Sequence, residues 1–252
     1  MKRILGTILV TVLLSALAFP QEDNSIPPIP PKRSKAAKVG AFGGFTPGWL
    51  FMDSKPINEF LVDAGGAPLK DDGVFMTGGA GAAYIMLVPN LRVGGLGMSG
   101  SIKSKALSSA GIRRDAIVNV GFGGVTVEYV VPVAERLDMA FGTMLGAGGI
   151  DITLRQYSGA ANTWNGEWDN FRTGNYTENV SREMSGAFFV WIPSFSVEYA
   201  VFGYLGVRLG ASYVGMSAPS WELDDTHELL GVPSTISGKG FMLNAGVFVG
   251  TF

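Results

Sequence analysis

In the stretch "AFFVWIPSFSVEYAV", residues 187–201, one set of alternate residues is apolar throughout, and the other set carries the polar residues. Every second residue belongs to the apolar set: Ala187, Phe189, Trp191, Pro193, Phe195, Val197 and Tyr199. The residues between them include Ser194, Ser196 and Glu198. Because successive side chains of a β-strand point to opposite faces, this period of two predicts a strand with one apolar and one more polar face.

The same pattern recurs along the chain. Turn signals divide it into eight apolar, glycine-rich runs without a sustained helical period. The predicted strands cover residues 39–51, 74–88, 91–103, 116–131, 137–154, 185–200, 204–217 and 239–252. Connections after the second, fourth and sixth strands are short, whereas the others span about 22, 12, 30 and 21 residues. This rhythm predicts an all-β fold, an eight-stranded antiparallel up-and-down barrel with short turns at one end and long loops at the other.

Composition excludes several classes of function. The net charge is −2, which offers no basic surface for nucleic acid. The chain has no cysteine and one histidine, which excludes disulfides, thiol catalysis and multi-histidine metal sites. We therefore expect no cofactor, no metal and no nucleic-acid partner.

The N-terminal residues are typical of a targeting segment. Residues 1–18 begin with "MKR", continue through a short apolar run and end at Ala16-Leu17-Ala18, which fits a signal-peptide cleavage site. A retained membrane anchor is the alternative. Residues 19–38 contain five prolines and a basic cluster, which predicts a periplasmic linker, or else a segment that docks a partner. Residues 39–252 would form the barrel.

The barrel could lie in water or in a bilayer. A soluble ligand-binding barrel needs a polar outer face, but charged residues make up only 16% of this chain, against about 25% in ordinary domains. A bilayer fits better, because large apolar residues then face lipid while Gly, Ser, Thr and a few ions face the lumen. The sequence therefore predicts a transmembrane barrel.

The last strand reads "KGFMLNAGVFVGTF", residues 239–252, and resembles the terminal strand of bacterial outer-membrane proteins. The stretch 39–252 resembles small outer-membrane barrels of the OmpA or OmpX type. The resemblance implies an outer-membrane location. It also implies two partners, outer-membrane lipid and the insertion machinery, and it implies that Phe252 is the insertion signal. In a regular strand, however, Phe248 and Phe252 would lie on the same face as Gly246, which is the less apolar face. Either a bulge therefore interrupts the strand or the final Phe does not face lipid. An even number of strands places both termini in the periplasm.

Ionisable residues collect near the turn end of the predicted strands. Glu128 and Glu198 lie near the ends of strands four and six, while Arg92, Asp138 and Arg208 lie near the starts of strands three, five and seven. All five share the inward parity, which predicts an ionic network in the lumen. Such a network could plug the lumen or form a charged gate.

Near both predicted membrane interfaces, aromatic residues occupy strand positions that are predicted to face outward. The interfacial set is Trp49, Phe51, Tyr129, Tyr199 and Tyr213. A second aromatic group in the third long loop would stack on sugars or bind a receptor, unless the loop packs on itself: Trp164, Trp168, Phe171 and Tyr176.

Two other loops have features of their own. In the first long loop, Ser54 to Gly66 predicts a short helix with Ile57, Phe60 and Leu61 packed on the barrel rim. The last long loop contains Asp224, Asp225 and Glu228, which would bind a divalent cation or form a solvated acidic surface.

The sequence therefore predicts an integral outer-membrane protein, not an enzyme, that acts through its long loops on an extracellular ligand it does not identify. The first alternative is a narrow, porin-like channel. The second is a lipid A-modifying enzyme that uses His227.

Overall fold

The structure is a computed structural model that describes residues 40–105, 107–109, 112–157, 163–173, 179–217 and 220–251. The predicted signal peptide and linker, Tyr176 and Phe252 lie outside these residues. The described residues form twelve strands and two helices. In chain order they are β1 Ala41–Phe45, β2 Gly48–Met52, α1 Lys55–Asp63, β3 Val74–Tyr84, β4 Leu91–Lys103, β5 Leu107–Ser109, β6 Ile112–Ala134, β7 Leu137–Tyr157, α2 Trp164–Thr173, β8 Val180–Phe202, β9 Leu205–Met216, β10 Ser220–Leu223, β11 His227–Glu228 and β12 Gly240–Gly250.

The strands form a closed ring of eight antiparallel positions. Strands β3, β4, β6, β7, β8, β9 and β12 occupy one position each, and β1 and β2 share the eighth. Strand β12 pairs with β9 on one side and with both β1 and β2 on the other, which closes the sheet. The predicted eight-stranded antiparallel barrel is confirmed.

The first position of the ring is split at Thr46-Pro47. Proline lacks the N–H that a ladder bond needs, so a strand tends to break there. The ladder nevertheless continues, since Thr46 N–H donates to the Gly78 carbonyl at 2.9 Å and the Pro47 carbonyl accepts from Ala245 N–H at 3.0 Å. The ring therefore stays closed across the break.

The two ends of the barrel differ as predicted. At one end, called the turn end, residues 85–90, 135–136 and 203–204 join neighbouring strands. Residues 40 and 251 lie there too, because Tyr84 N–H donates to the Gly40 carbonyl and Gly250 N–H donates to the Tyr204 carbonyl. The opposite, loop end bears α1, α2 and the short strands β5, β10 and β11.

Strands β6, β7 and β8 are longer than predicted. Register pairs extend from Pro132–Asp138 at the turn end to Arg113–Tyr157 at the loop end. A bilayer needs only about 9–11 residues per tilted strand, so the upper parts of these strands project beyond the predicted membrane span. The third long loop is correspondingly shorter than expected.

The outer face is apolar, as the alternation predicted. Exposed aromatic and aliphatic side chains lie on every position of the ring except β4, among them Phe45, Phe75, Val125, Phe141, Leu145, Phe189, Trp191, Phe195, Leu209, Leu243 and Val247. On β8 they extend from Phe189 to Tyr199, ten residues apart. Ten residues span roughly 33 Å along a strand, or roughly 25 Å of membrane thickness when the strand is tilted. We call this surface the apolar belt.

The inner face differs from the prediction. The sequence predicted a lumen of Gly, Ser, Thr and ions, but its loop half is filled by large apolar side chains. This lumen core includes Leu50, Val74, Met76, Met98, Val118, Val120, Met144, Ile150, Val190, Ile192, Val214 and Met242, all almost fully buried. Eight strands enclose only enough space for side chains, and apolar groups fill it without leaving polar atoms unbonded.

Helix α1 confirms the predicted helix of the first long loop. Ile57 and Leu61 are buried against the lumen core, so the helix covers the lumen at the loop end. Phe60 was predicted to pack beside them, but it is 57% exposed, so that part of the prediction is wrong. Ser54 occupies the N-cap position, yet its hydroxyl bonds to the Asp71 carboxylate instead of capping the helix.

Candidate functional site

Four buried charged side chains meet in the lumen near the turn end. Arg92 on β4 faces Glu128 on β6, and Glu198 on β8 faces Arg208 on β9, each as a direct register pair. The strand alternation turns all four side chains inward, as the sequence predicted. We call these four residues the ionic ring.

The contacts of the ionic ring join opposite charges both along the sheet and across the lumen. Arg92 Nε lies 2.6 Å from Glu128 Oε2, and Arg92 Nη1 lies 2.8 Å from Glu198 Oε2. Arg208 Nη2 lies 2.6 Å from Glu198 Oε1, and its Nη1 lies 3.3 Å from Glu128 Oε1. Each arginine thus contacts both glutamates, and the ring is electrically neutral.

Burial makes this pairing essential. Arg92 is only 1% exposed, and the other three ring residues are 6–8% exposed. A charge removed from water costs several kcal/mol unless a partner and hydrogen bonds compensate it. Alternating charges supply that compensation here, because each arginine contacts both glutamates.

Two phenylalanines lie against the ring, and sequence analysis assigned neither of them to it. The Arg92 guanidinium lies 4.9 Å from the centre of the Phe42 ring, and that of Arg208 lies 4.9 Å from the centre of the Phe248 ring. A guanidinium over an aromatic face gains a cation–π attraction. Phe248 lies on the same face of the strand as Gly246 and Gly250, and this alternation is the signal that could have placed Phe248 in the lumen.

Strand β12 bears on the bulge raised for the chain end as far as Val249, whereas Phe252 lies outside the described residues. Its register with β9 is continuous from Gly240 to Val249. Phe248 is 2% exposed and faces the lumen, so the parity follows without a bulge over those residues.

Asp138, the fifth predicted member of the network, lies opposite Glu198 on β7. It is partly exposed, whereas the four ring residues are buried. Its position two steps into β7, close to the turn after β6, places it nearer the edge of the barrel.

A small void lies beside the ionic ring. Its volume is about 40 Å³, and its lining includes Thr46, Arg208 and Ser212. Thr46 Oγ1, Arg208 Nε and Ser212 Oγ are buried without a hydrogen-bond partner among the described residues. A polar void of this size suits a few ordered water molecules.

The predicted interfacial aromatics all face outward. Trp49, Phe51, Tyr129, Tyr199 and Tyr213 are 40–49% exposed. Trp49 packs on Phe75 and Tyr213 packs on Trp191, which forms a band of aromatic rings on the loop side of the apolar belt.

The predicted surface-binding loop contains helix α2. Trp164, Trp168 and Phe171 recur at helical spacing along it, and their rings touch edge to face. They are 56–77% exposed, an unusual exposure for large aromatic side chains. The described part of the loop therefore presents an aromatic surface.

The acidic cluster of the last long loop is engaged by protein groups. Asp224 accepts hydrogen bonds from the Glu183 backbone N–H and from Arg182, and these bonds lower the pKa of Asp224. Within the described ranges, no group of three or more acidic or histidine side chains is placed to hold a metal ion. His227 lies exposed on β11 with its Nδ1 2.7 Å from Thr226 Oγ1.

Comparison with known proteins yields only distant structural likeness. No protein-family model matches the chain, and no curated protein matches it in sequence. The attachment invasion locus protein Ail of Yersinia pestis, solved in complex with the heparin analogue sucrose octasulfate, is similar at 10% identity and a TM-score of 0.36, covering 84% of this chain and 97% of Ail.

A major outer membrane protein of Thermus thermophilus is similar at 11% identity and a TM-score of 0.44, covering 84% of this chain and 98% of that one. The outer membrane protease OmpT of Escherichia coli matches at 10% identity and a TM-score of 0.22, over 92% of this chain and 99% of OmpT. At these TM-scores, the strand pairing of the chain itself carries the fold assignment. In the described part of the chain, no helix is long and apolar enough to cross a membrane.

Proposed function

We propose that this protein is an integral outer-membrane barrel with a closed lumen, which acts through the surface of its long loops. The observation that carries the proposal is the filling of the lumen. The ionic ring occupies its turn half, the lumen core occupies its loop half, and Ile57 and Leu61 of α1 cover the top. A barrel filled in this way has a structural or interaction role.

The apolar belt supports the membrane location. Its height of roughly 25 Å matches the lipid-facing band of outer-membrane barrels. So many exposed aromatic and aliphatic side chains would be unfavourable in water. In this orientation the turn end, with both ends of the described chain, faces the periplasm.

The loop end supports the interaction role. Helix α2 presents Trp164, Trp168 and Phe171 at the exposed end of the long β7–β8 hairpin. Aromatic side chains of this kind are favoured at binding interfaces. The proposed role involves no catalysis.

The alternative is a narrow channel gated by the ionic ring. The void of about 40 Å³ beside Arg208 favours it, because a polar void could form part of a water path. The lumen core opposes it, since packed apolar side chains leave no continuous polar route above the ring.

Conductance across planar bilayers distinguishes the two. We expect no steady conductance from the refolded protein, nor from Glu128→Gln or Arg208→Gln. A steady conductance that either substitution changes would support the gated channel and contradict the closed lumen. The boiled, unfolded protein serves as the control for leakage.

A further inference from the structure

A second cavity, separate from the ionic ring, opens at the loop end. It has a volume of about 270 Å³ and lies between α1, the ends of β7 and β8, and the segment 229–236. Its lining includes Leu61, Ile152, Met184, Trp221 and Ile236, and every other lining residue is apolar too. Several lining residues belong to the lumen core, so the floor of the cavity is part of the same packed cluster. We call it the apolar cavity.

The mouth of the apolar cavity exposes large apolar groups. Leu230 is 78% exposed and Phe60 is 57% exposed. Both lie well above the apolar belt, on the loop end, where the bilayer would not cover them. A ligand with an apolar portion would remove these surfaces from water.

A cationic wall, formed by Arg114 and Arg155, adjoins the apolar cavity. A neighbouring cavity of about 390 Å³ shares Leu61, Ala64 and Leu154 with it, and its other lining includes Arg114 and Arg155. The two cavities therefore meet at the C-terminal end of α1.

The cationic wall has an excess of positive charge. Arg155 and Lys103 both pair with the single carboxylate of Asp115, at 2.8 and 3.0 Å. Arg114 instead donates to the neutral Gln156 side chain at 2.9 Å and to the Ala64 carbonyl at 3.3 Å. Arg155 and Lys103 thus share one anion, and Arg114 has no acidic partner among the described residues.

We propose that these two cavities form a binding site for a fatty carboxylate with a single alkyl chain. The alkyl chain would occupy the apolar cavity, and the carboxylate would bind at Arg114. An apolar volume of about 270 Å³ lies at the lower limit of ordinary ligand pockets, which suits one chain rather than a lipid with several. The site extends the proposed surface role, and it does not depend on whether the lumen conducts.

Binding of dodecanoate to the full-length protein in nanodiscs tests the site. We expect saturable binding that is about tenfold weaker in Arg114→Gln, because a charge-assisted hydrogen bond is lost. Arg136→Gln, at the turn end, is the matched control and should bind like the unaltered protein. Dodecanol should bind about tenfold more weakly than dodecanoate and should not respond to Arg114→Gln.

A second pair of variants tests the apolar cavity. Ala64→Phe places a bulky ring where the two cavities meet and should weaken dodecanoate binding about tenfold or more. Val62→Phe adds the same ring on an exposed position of α1 that lines neither cavity, and should leave binding unchanged. Equal binding of dodecanoate, dodecanol and dodecylammonium, or unchanged binding in Ala64→Phe, would show bilayer partitioning only and overturn the proposal.

Discussion

At the residue scale, the ionic ring shows how two glutamates come to lie inside apolar strands. Glu128 and Glu198 each precede a tyrosine that faces outward. Because adjacent residues of a strand point to opposite faces, the carboxylate is buried in the lumen while the tyrosine side chain lies at the membrane interface. Each carboxylate then finds one arginine on the next strand and another across the lumen. The charge is tolerated because its partner is equally buried.

Glu198→Gln should destabilise the barrel by about 3–5 kcal/mol, because two arginines would then share one carboxylate. Urea unfolding in lipid vesicles measures the change. The double variant Glu198→Gln with Arg208→Gln restores neutrality and should lose less than the sum of the single changes. Additive losses would show that the two residues act independently.

Asp115 on β6 should make the loop end sensitive to acid. Its side chain lies above the apolar belt, fully buried beneath Arg155 and Lys103, and the hydrogen bonds from Arg155 lower the pKa of Asp115. The ionised Asp115 carboxylate therefore stabilises the folded barrel fully above the ordinary aspartate pKa of about 3.9. This stabilisation is lost as the pH falls through the lowered pKa of Asp115.

Asp115→Asn should remove the acid-sensitive contribution of Asp115 to the stability of the barrel. It should lower the free energy of unfolding by about 1–3 kcal/mol at neutral pH. Unfolding midpoints of both proteins between pH 7 and pH 2 measure it. The same loss of stability on acidification in both proteins would contradict the assignment.

At the element scale, the barrel depends on close approach between neighbouring strands. At Gly78, Gly94, Gly124 and Gly146, an added methyl group would lie only 2.0–2.2 Å from a carbonyl oxygen of the adjacent strand. Such contacts reflect the strong coiling that closes a small barrel. The high glycine content therefore has a steric cause at these positions.

Gly146→Ala should destabilise the barrel by about 1–3 kcal/mol, since the new methyl would collide with the backbone of Gly123 and Gly124 on β6. The urea midpoint in lipid measures the effect. Gly97→Ala is the matched control, because its methyl would meet nothing within 4 Å. Equal midpoints for the two variants would refute the steric argument.

At the scale of the whole molecule, two apolar surfaces coexist. The apolar belt faces outward, and the lumen core faces inward, so a strand such as β8 is apolar on both sides in the upper barrel, with Trp191 outward and Val190 inward. Strands buried on both faces no longer show a clean alternation of apolar and polar residues. The apolar side chains of the lumen core pack against one another, whereas the ring introduces charge only where it is neutralised.

A closed barrel in a bilayer should resist detergent until it is heated. We expect the folded protein to migrate differently from the boiled protein on a detergent gel, and to be recovered with the outer membrane. Recovery in the soluble periplasmic fraction would contradict the membrane location. Trp191→Phe, on the lipid face, should keep the shift in migration.

Sequence reasoning succeeded where the determining information is local. Alternation along 187–201, short turns and long loops predicted the barrel and its outward aromatics. It also predicted the inward direction of Arg92, Glu128, Glu198 and Arg208, since parity depends only on neighbouring residues. It failed for the lumen core, because Met76 or Val120 on the inner parity could equally mark a bulge or a shifted register.

What the sequence by itself determined is the order of the eight ring strands and the face of the alternating residues such as Arg92 and Glu198, because both follow from covalent neighbours. Only the tertiary structure decided which inward residues meet. Arg92 and Glu198 are 106 residues apart, and their contact exists because ring closure fixes the register of every strand between them. The apolar cavity has the same origin, since α1 and the segment 229–236 come together only above a closed barrel.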